Sequence, residues 1–356
     1  MNFRTVMLGV VFAGTTLAVL PTAGRASDTV EASTNPVVFP GAPARPRIRH
    51  VRTIRKVSDV TGVKKKGMFS KFVSAVSGGG DLDLPILSVP YGIWVQNQKI
   101  YVSDTGGGRI TILDLKNKKI THIGEGGQGR LMTPAFIAVD DAGTVFATDT
   151  GDHSLKAYSA EGKFLWKRKQ TGGEASQLSR PTGIALSPSG EIIVVDKINR
   201  RLVVFSKEGK FLRDICRHGR KDPLALPSPV NIWSGKDGTL YVNDPVVARV
   251  HVFTSTGGAL SGFGEQGNNP GYLGRPRGMA LDSDGNLHVV DGLFHRVQIF
   301  NREGQLLMWY GVPGGATSGL ALPTGIFIDK DNLVYIADSK NRRIQIFQYI
   351  TYPDGK

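Results

Sequence analysis

Apolar and polar positions come in short blocks along most of this chain. The stretch 335–347, YIADSKNRRIQIF, shows one block in full: a β-branched and aromatic run ending at Asp338, a polar turn with Asn341, Arg342 and Arg343, and a second apolar run to Phe347. The block recurs at 101–113, 146–158, 193–205, 241–253 and 288–300. Its aspartates, Asp104, Asp149, Asp196, Asp244, Asp291 and Asp338, are spaced by 45, 47, 48, 47 and 47 residues. A fixed period of this length marks a repeat architecture in which each unit is one supersecondary motif.

Each unit opens with a proline, at Pro90, Pro134, Pro181, Pro229, Pro276 and Pro323. A glycine follows two positions later in four units, at Gly92, Gly183, Gly278 and Gly325, while Phe136 and Asn231 replace it in the second and fourth. Then come a β run such as GIAL or GIFI, a turn such as SPSG or DKDN, the run ending in the aspartate, the polar turn and the third run. In most units a turn such as KEG or REG leads to a fourth run, FLWKR, FLRDI or LLMWY. Four short strands joined by tight turns predict an antiparallel meander. The strands are apolar on both faces, as in Val297, Ile299 and Phe300, so each sheet must be sandwiched between neighbours. A closed ring of such sheets satisfies this, and the period of about 47 suits a blade better than a coil of a linear solenoid. The fold class is therefore all-β, a six-bladed β-propeller of four-stranded antiparallel blades over residues 90–347.

The sixth unit lacks a fourth run after Phe347, because the chain continues QYITYPDGK. Its missing strand is resembled by residues 47–55, RIRHVRTIR, in which the order His50-Val51-Arg52-Thr53-Ile54 parallels Phe211-Leu212-Arg213-Asp214-Ile215. An N-terminal strand closing the last blade leaves no open sheet edge at the seam. Between this strand and the first unit, residues 56–84 form an insert. Phe69, Phe72, Val73 and Val76 stand there at helical spacing behind Lys64, Lys65 and Lys66, and Gly78-Gly79-Gly80 ends the run. The spacing predicts a short amphipathic helix.

Residues 1–26 read as an export signal: Arg4, an apolar run VMLGVVFAGTTLAVL, and a small-residue site at Ala23-Gly24-Arg25-Ala26. Residues 27–46 are proline-rich and polar and are expected to be a tether. The chain carries 44 Lys and Arg against 30 Asp and Glu, a net charge of +14, and loss of the signal removes only Arg4 and Arg25. Such a balance favours polyanionic partners. Export disfavours nucleic acid and leaves an anionic polysaccharide, an anionic lipid surface or a protein of the cell envelope. With Cys216 as its only cysteine, the chain forms no intrachain disulfide and must hold by packing in an oxidising compartment.

The proline-x-glycine opening, the DxxNxR turn and the terminal phenylalanine together resemble the NHL repeat. The resemblance runs over about residues 90–347 and is best in SRPTGIALSPSGEIIVVDKINRRLVVFSKEGKFL and LPTGIFIDKDNLVYIADSKNRRIQIF. It implies the same six-bladed fold. It leaves function open, since propellers of this family serve as scaffolds, sensor domains and RNA-binding modules, and one branch is a zinc-dependent lyase acting on C-terminal glycine derivatives. The lead-in PRIRHVRTI…GMFSKF…GGG is also similar to that of exported bacterial members.

The arginines five positions after each aspartate, Arg109, Arg201, Arg249, Arg296 and Arg343, suggest a ring for anions, with Ser154 as the exception. Their presence in nearly every unit makes them joinery of the blade, because a site needs asymmetry. Asymmetry lies where the pattern breaks. Phe136 and Asn231 at the glycine position, and His153 and His295 at equivalent places in units two and five, are the candidates for an axial or rim ligand site. No third ligand accompanies the histidines, and the zinc set of the lyase branch has no match residue by residue. Gly124-Glu125-Gly126-Gly127-Gln128-Gly129 lacks the lysine and helix of a phosphate loop and reads as a connector. The lead-in offers a contact surface for polyanions or membranes: Arg47, Arg49, Arg52, Arg55, Lys64, Lys65, Lys66, Phe69 and Phe72. The sequence thus points to an exported, monomeric, non-enzymatic scaffold that binds through one rim, with no cofactor, catalytic set or metal implied. The alternative is a metal-dependent hydrolase or lyase with a site on the axis.

Overall fold

The computed structural model describes residues 37–41, 44–62, 85–169, 177–216 and 226–352. Two N-terminal strands, β1 (Val38–Phe39) and β2 (Ile48–Ile54), and a five-residue helix, α1 (Val57–Thr61), precede the repeats. Blade one is built of Pro90–Gln96, Lys99–Asp104, Arg109–Asp114 and Lys119–Ile123. Blade two contains Pro134–Val139, Val145–Asp149, Ser154–Tyr158 and Phe164–Arg168. Blade three contains Pro181–Leu186, Ile192–Asp196, Arg201–Phe205 and Phe211–Ile215. Blade four follows with Asn231–Ser234, Leu240–Asp244, Arg249–Phe253 and Ala259–Phe263, and blade five with Pro276–Leu281, Leu287–Asp291, Arg296–Phe300 and Leu306–Tyr310. Each is an antiparallel meander, and the proline-led inner strands touch one another in cyclic order around an axis.

Blade six joins both ends of the chain. Pro323–Ile328, Leu333–Asp338 and Arg343–Tyr349 pair in turn, and β2 pairs antiparallel with the last of them, Ile48 opposite Tyr349 and Ile54 opposite Ile344. The expected closing strand is therefore in place. Across the seam, Thr53 Oγ1 donates to Gln345 Oε1 at 2.6 Å, and His50 Nε2 lies 2.9 Å from the same oxygen. The proline-rich segment contributes more than a tether: β1 adds a fifth strand, Val38 opposite Arg49, and the Phe39 ring lies 6.4 Å from that of Tyr310.

The two apolar faces of each blade serve two neighbours. In blade three, Ile192 and Val194 pack with Phe146, Leu155 and Ala157 of blade two, whereas Ile193 and Val195 pack with Ile232, Leu240 and Val242 of blade four. Alternation of side chains along a strand makes this division possible, and it explains why no polar face was visible in the sequence. Where the first hairpin turns, Gly190, Gly285 and Asn332 all have positive φ, at 81°, 79° and 59°, the region that glycine and asparagine tolerate best.

The six aspartates are fully buried and clamp the chain as it enters each inner strand. Asp149 accepts from the Met132 and Thr133 amides at 2.7 and 2.8 Å, and Asp291 from the Gly274 and Arg275 amides at 2.7 and 3.1 Å. The arginines five positions on pair with them closely in blades three and six, Arg201 at 2.9 Å and Arg343 at 2.7 Å. Blade two has Ser154 there, and Lys156 takes over, with Nζ 2.7 Å from Asp149 and 3.0 Å from Asp152. Among the described residues no helix is long and apolar enough to cross a membrane.

Candidate axial ligand site

The inner strands carry a built-in irregularity that decides what faces the axis. In five blades the register shifts just after the proline, between Pro90 and Ile93, Pro134 and Ile137, Pro181 and Ile184, Pro276 and Met279, and Pro323 and Ile326. A bulge leaves an amide without a ladder partner and turns a side chain out of the sheet. The freed amides are satisfied from the second strand: Gly92 N–H donates to Ser103 Oγ at 2.7 Å, and Phe136 N–H to Thr148 Oγ1 at 3.1 Å. The same second-strand side chains reach the following blade, where Ser103, Thr148 and Asn243 donate to the carbonyls of Ala135, Thr182 and Arg277. Those carbonyls belong to the residues immediately after the prolines. Each such residue is thus held from two blades.

Five of the six residues in that position, Tyr91, Ala135, Thr182, Val230 and Arg277, line a cavity of about 300 Å³. Arg180, Lys197 and Arg275 add three more cations to its lining, which among the described residues contains no carboxylate and no imidazole. Arg277 Nη1 donates to the Tyr91 hydroxyl at 2.9 Å. Arg180, Lys197 and Arg275 form no ion pair with any described residue. Burial first, then the charges of Arg180 and Arg277, hold the Lys197 ammonium below its ordinary pKa, against the pull of buried Asp244. Thr182 is only 7% exposed, and its hydroxyl has no hydrogen-bond partner among the described residues.

Further along the axis the channel narrows to a space of about 40 Å³ lined by Phe136, Asn231, Trp94 and Trp233 among others. Trp94 and Trp233 belong to opposite blades, one and four, yet their rings lie 6.3 Å apart. Phe327 packs against both, at 4.9 and 5.8 Å. These three rings crowd the far end, and the cavity lies at the face where the inner strands begin. The second-to-third-strand turns share that face and expose Ile198, Val246, Val247 and Leu293 around the opening, with Leu322 beside them.

The four axial or rim candidates singled out from sequence lie close to this mouth but do not form it. Phe136 is buried and packs edge-on against Tyr91, ring centroids 5.2 Å apart. Asn231 lines the narrower space below. His153 Nδ1 accepts from the Arg180 amide at 3.1 Å, and His295 Nδ1 from the Leu322 amide at 2.9 Å, each tying its turn to the next blade. The two histidines are not brought together, and among the described residues no three His, Cys, Asp or Glu side chains converge as a metal site would require. Arg47, Arg49, Arg52 and Arg55 lie in or beside β2 on the outer wall of blade six. Arg47 stacks over Tyr352, and Arg52 donates to the Asp59 carbonyl. Arg49 and Arg55 are exposed. Lys64, Lys65, Lys66, Phe69 and Phe72 lie outside the described residues. Sequence reasoning missed Tyr91, Arg180, Thr182, Lys197, Arg275 and Arg277. The available signal was the position after the proline, which reads Tyr, Ala, Thr, Val, Arg, Thr in the six units while its neighbours are nearly constant.

The family model of the NHL repeat matches residues 178–205 and 320–347, within blades three and six. No curated protein matches the sequence. Solved structures share the fold at low identity. Virginiamycin B lyase from Staphylococcus aureus is 15% identical, with 74% of this chain and 95% of that one covered and a TM-score of 0.54. An auxiliary nutrient binding protein from Bacteroides thetaiotaomicron is 13% identical, with 74% and 69% covered and a TM-score of 0.59. A protein of unknown function from the same organism is 18% identical, with 76% and 71% covered and a TM-score of 0.59. With the NHL repeat matched in blades three and six and six blades closed into a ring, the chain is a six-bladed β-propeller that carries NHL repeats.

Proposed function

We propose that the chain is an exported, non-enzymatic binding propeller that presents the open axial face to an anionic protein of the cell envelope. The observation that carries this reading is the cluster of Arg180, Lys197, Arg275 and Arg277 at the mouth of a channel narrowed at its other end by Trp94 and Trp233. A basic mouth ringed by exposed apolar side chains suits a partner that brings acidic groups to the centre and apolar groups to the rim. The nutrient-binding neighbour supports a binding use of this fold. A hydrolase or lyase using a divalent metal on the axis fits less well, because divalent metals are held by carboxylate, carbonyl or imidazole donors, whereas the charged side chains that the described residues bring to this mouth are guanidinium and ammonium groups, which repel a cation. Export rests on the N-terminal segment alone.

The test is retention of an envelope protein by the purified mature chain. The pair Val246→Asp and Leu293→Asp should abolish retention, and added salt should weaken it steeply. Arg49→Ser with Arg55→Ser, on the outer wall, should leave it unchanged. Equal retention by the Val246→Asp, Leu293→Asp variant would remove the open face as the binding surface.

A further inference from the structure

We infer that the axial cavity is a discrete binding site for a small oxyanion, the carboxylate or phosphate group of a compact ligand, held by Arg277, Lys197 and Arg180 with Thr182 as hydroxyl donor. This goes beyond docking of a partner on the rim, since it requires only the isolated chain and a small molecule.

Three independent features meet in the same place. The first is charge. Four cations, and among the described residues no carboxylate, line a cavity of about 300 Å³, at the small end of the range for ligand sites. Like charges brought together in a partly desolvated space repel, and the lowered affinity of Lys197 for its proton records that repulsion together with burial. Asp244, buried beneath the adjoining turn, is committed elsewhere: it accepts from the Ser228 and Val246 amides. An oxyanion among the four cations removes the repulsion.

The second feature is an unsatisfied donor. Buried hydroxyls in folded proteins nearly always find a partner. The Thr182 hydroxyl is buried, lacks one, and belongs to the cavity lining. Two neighbouring hydroxyls of the lining are occupied: Thr105 donates to the Pro134 carbonyl at 2.7 Å and Thr150 to the Thr133 carbonyl at 3.1 Å. Thr182 therefore differs from Thr105 and Thr150 in carrying a buried, unsatisfied hydroxyl in the wall of the cavity.

The third is preorganisation. The Arg277 carbonyl is held by Asn243 and its guanidinium by Tyr91, which fixes one N–H edge and leaves the rest of a planar fork for a ligand. The Arg275 amide is clamped by Asp291 and the Arg180 amide by His153. Arg277, held at both its carbonyl and its guanidinium, loses little freedom on binding, while for Arg275 and Arg180 it is the backbone that is fixed.

Isothermal titration of the mature protein at low salt with inorganic phosphate, and separately with citrate, tests the site. Saturable one-to-one binding of at least one of them is expected, and the tighter of the two identifies the group the natural ligand carries. Arg277→Gln and Lys197→Gln should each weaken that binding at least tenfold, and Thr182→Val about threefold. Arg180→Gln, at an exposed side chain, provides a variant with little bearing on folding and should weaken binding several-fold. Arg49→Gln with Arg55→Gln should change nothing. No saturable binding of either anion, or binding retained by folded Arg277→Gln and Arg180→Gln proteins, would overturn the inference. Loss of small-anion binding with envelope retention intact would leave the rim as a docking surface without this site.

Discussion

Arg277 of blade five donates a 2.9 Å hydrogen bond to the Tyr91 hydroxyl of blade one, reaching past blade six across the channel mouth. The contact links blades that are not neighbours, so it senses the roundness of the whole ring. A double-mutant cycle with Tyr91→Phe and Arg277→Lys should return a coupling of about 0.5–1.5 kcal/mol in chemical denaturation, the usual net value of one hydrogen bond. A coupling near zero would mean that the bond does not hold in solution.

Blade two departs from the repeat at Ser154 and repairs the departure with Lys156, a fully buried lysine between Asp149 and Asp152. Lys156→Met should cost about 3–5 kcal/mol, because it strands a buried carboxylate. Adding Ser154→Arg, which restores the arginine of the other blades, should recover part of that loss. Urea unfolding midpoints of the single and double variants decide the matter, and an unchanged midpoint for Lys156→Met would contradict the pairing.

The inner-strand glycines are required by close approach between blades. A Cβ at Gly325 would lie 2.4 Å from the Tyr91 carbonyl oxygen and 3.0 Å from the Ile93 amide nitrogen, both backbone atoms that cannot swing away. Gly325→Ala should destabilise by about 1–3 kcal/mol. Gly41→Ala, where nothing lies within 4 Å, is the matched control and should be close to neutral. Denaturant unfolding of the two variants side by side makes the comparison.

Acid sensitivity should begin with histidine. Burial, then Asp244 pulling the opposite way and Arg249 reinforcing it, leaves the His251 imidazole below its ordinary pKa, and its Nε2 has no partner. A base whose proton affinity is lowered by folding binds fewer protons in the native state than in the unfolded chain. Its contribution is complete above the ordinary value of 6.5 and is lost as the pH falls below it. Burial lowers His50 and His122 in the same direction. Stability should therefore decline from about pH 6.5 towards pH 5, and His251→Phe should flatten that slope without abolishing it. A slope identical in the variant, measured by denaturation across this range, would clear His251 of any part.

The ring was legible because a blade repeats its chemistry. A buried aspartate must receive the incoming chain six times, and two apolar faces must be kept on every sheet, so both leave marks at a constant period. The seam was legible for the same reason, since β2 obeys the pattern of a fourth strand. β1 was not, because Val38 and Phe39 lie between prolines and become a strand only when β2 offers an edge. The mouth was hidden by a local irregularity. An alternating strand gives the proline-plus-one and proline-plus-two residues equal claim to the axis, and glycine at the second drew attention to Phe136 and Asn231. The bulge turns the first to the mouth, which brings in Tyr91, Thr182 and Arg277, and leaves Phe136 and Asn231 to the narrower space below. Lys197, Arg180 and Arg275 reach the cavity from turns, where spacing along the chain says little about direction.

The seam also has a kinetic meaning. His50 and Gln345 meet across it although 295 positions separate them in sequence. Blades one to five need only contacts within roughly one repeat length, and such local meanders form early, whereas joining distant segments carries the entropy of closing a long loop. Ring closure is thus expected to be the slow, late step, with an open horseshoe of blades before it. A circular permutant that links β2 covalently to Arg343–Tyr349 and places its ends in another blade's turn moves that closure elsewhere. Its refolding rate would show which joint the wild-type chain waits for.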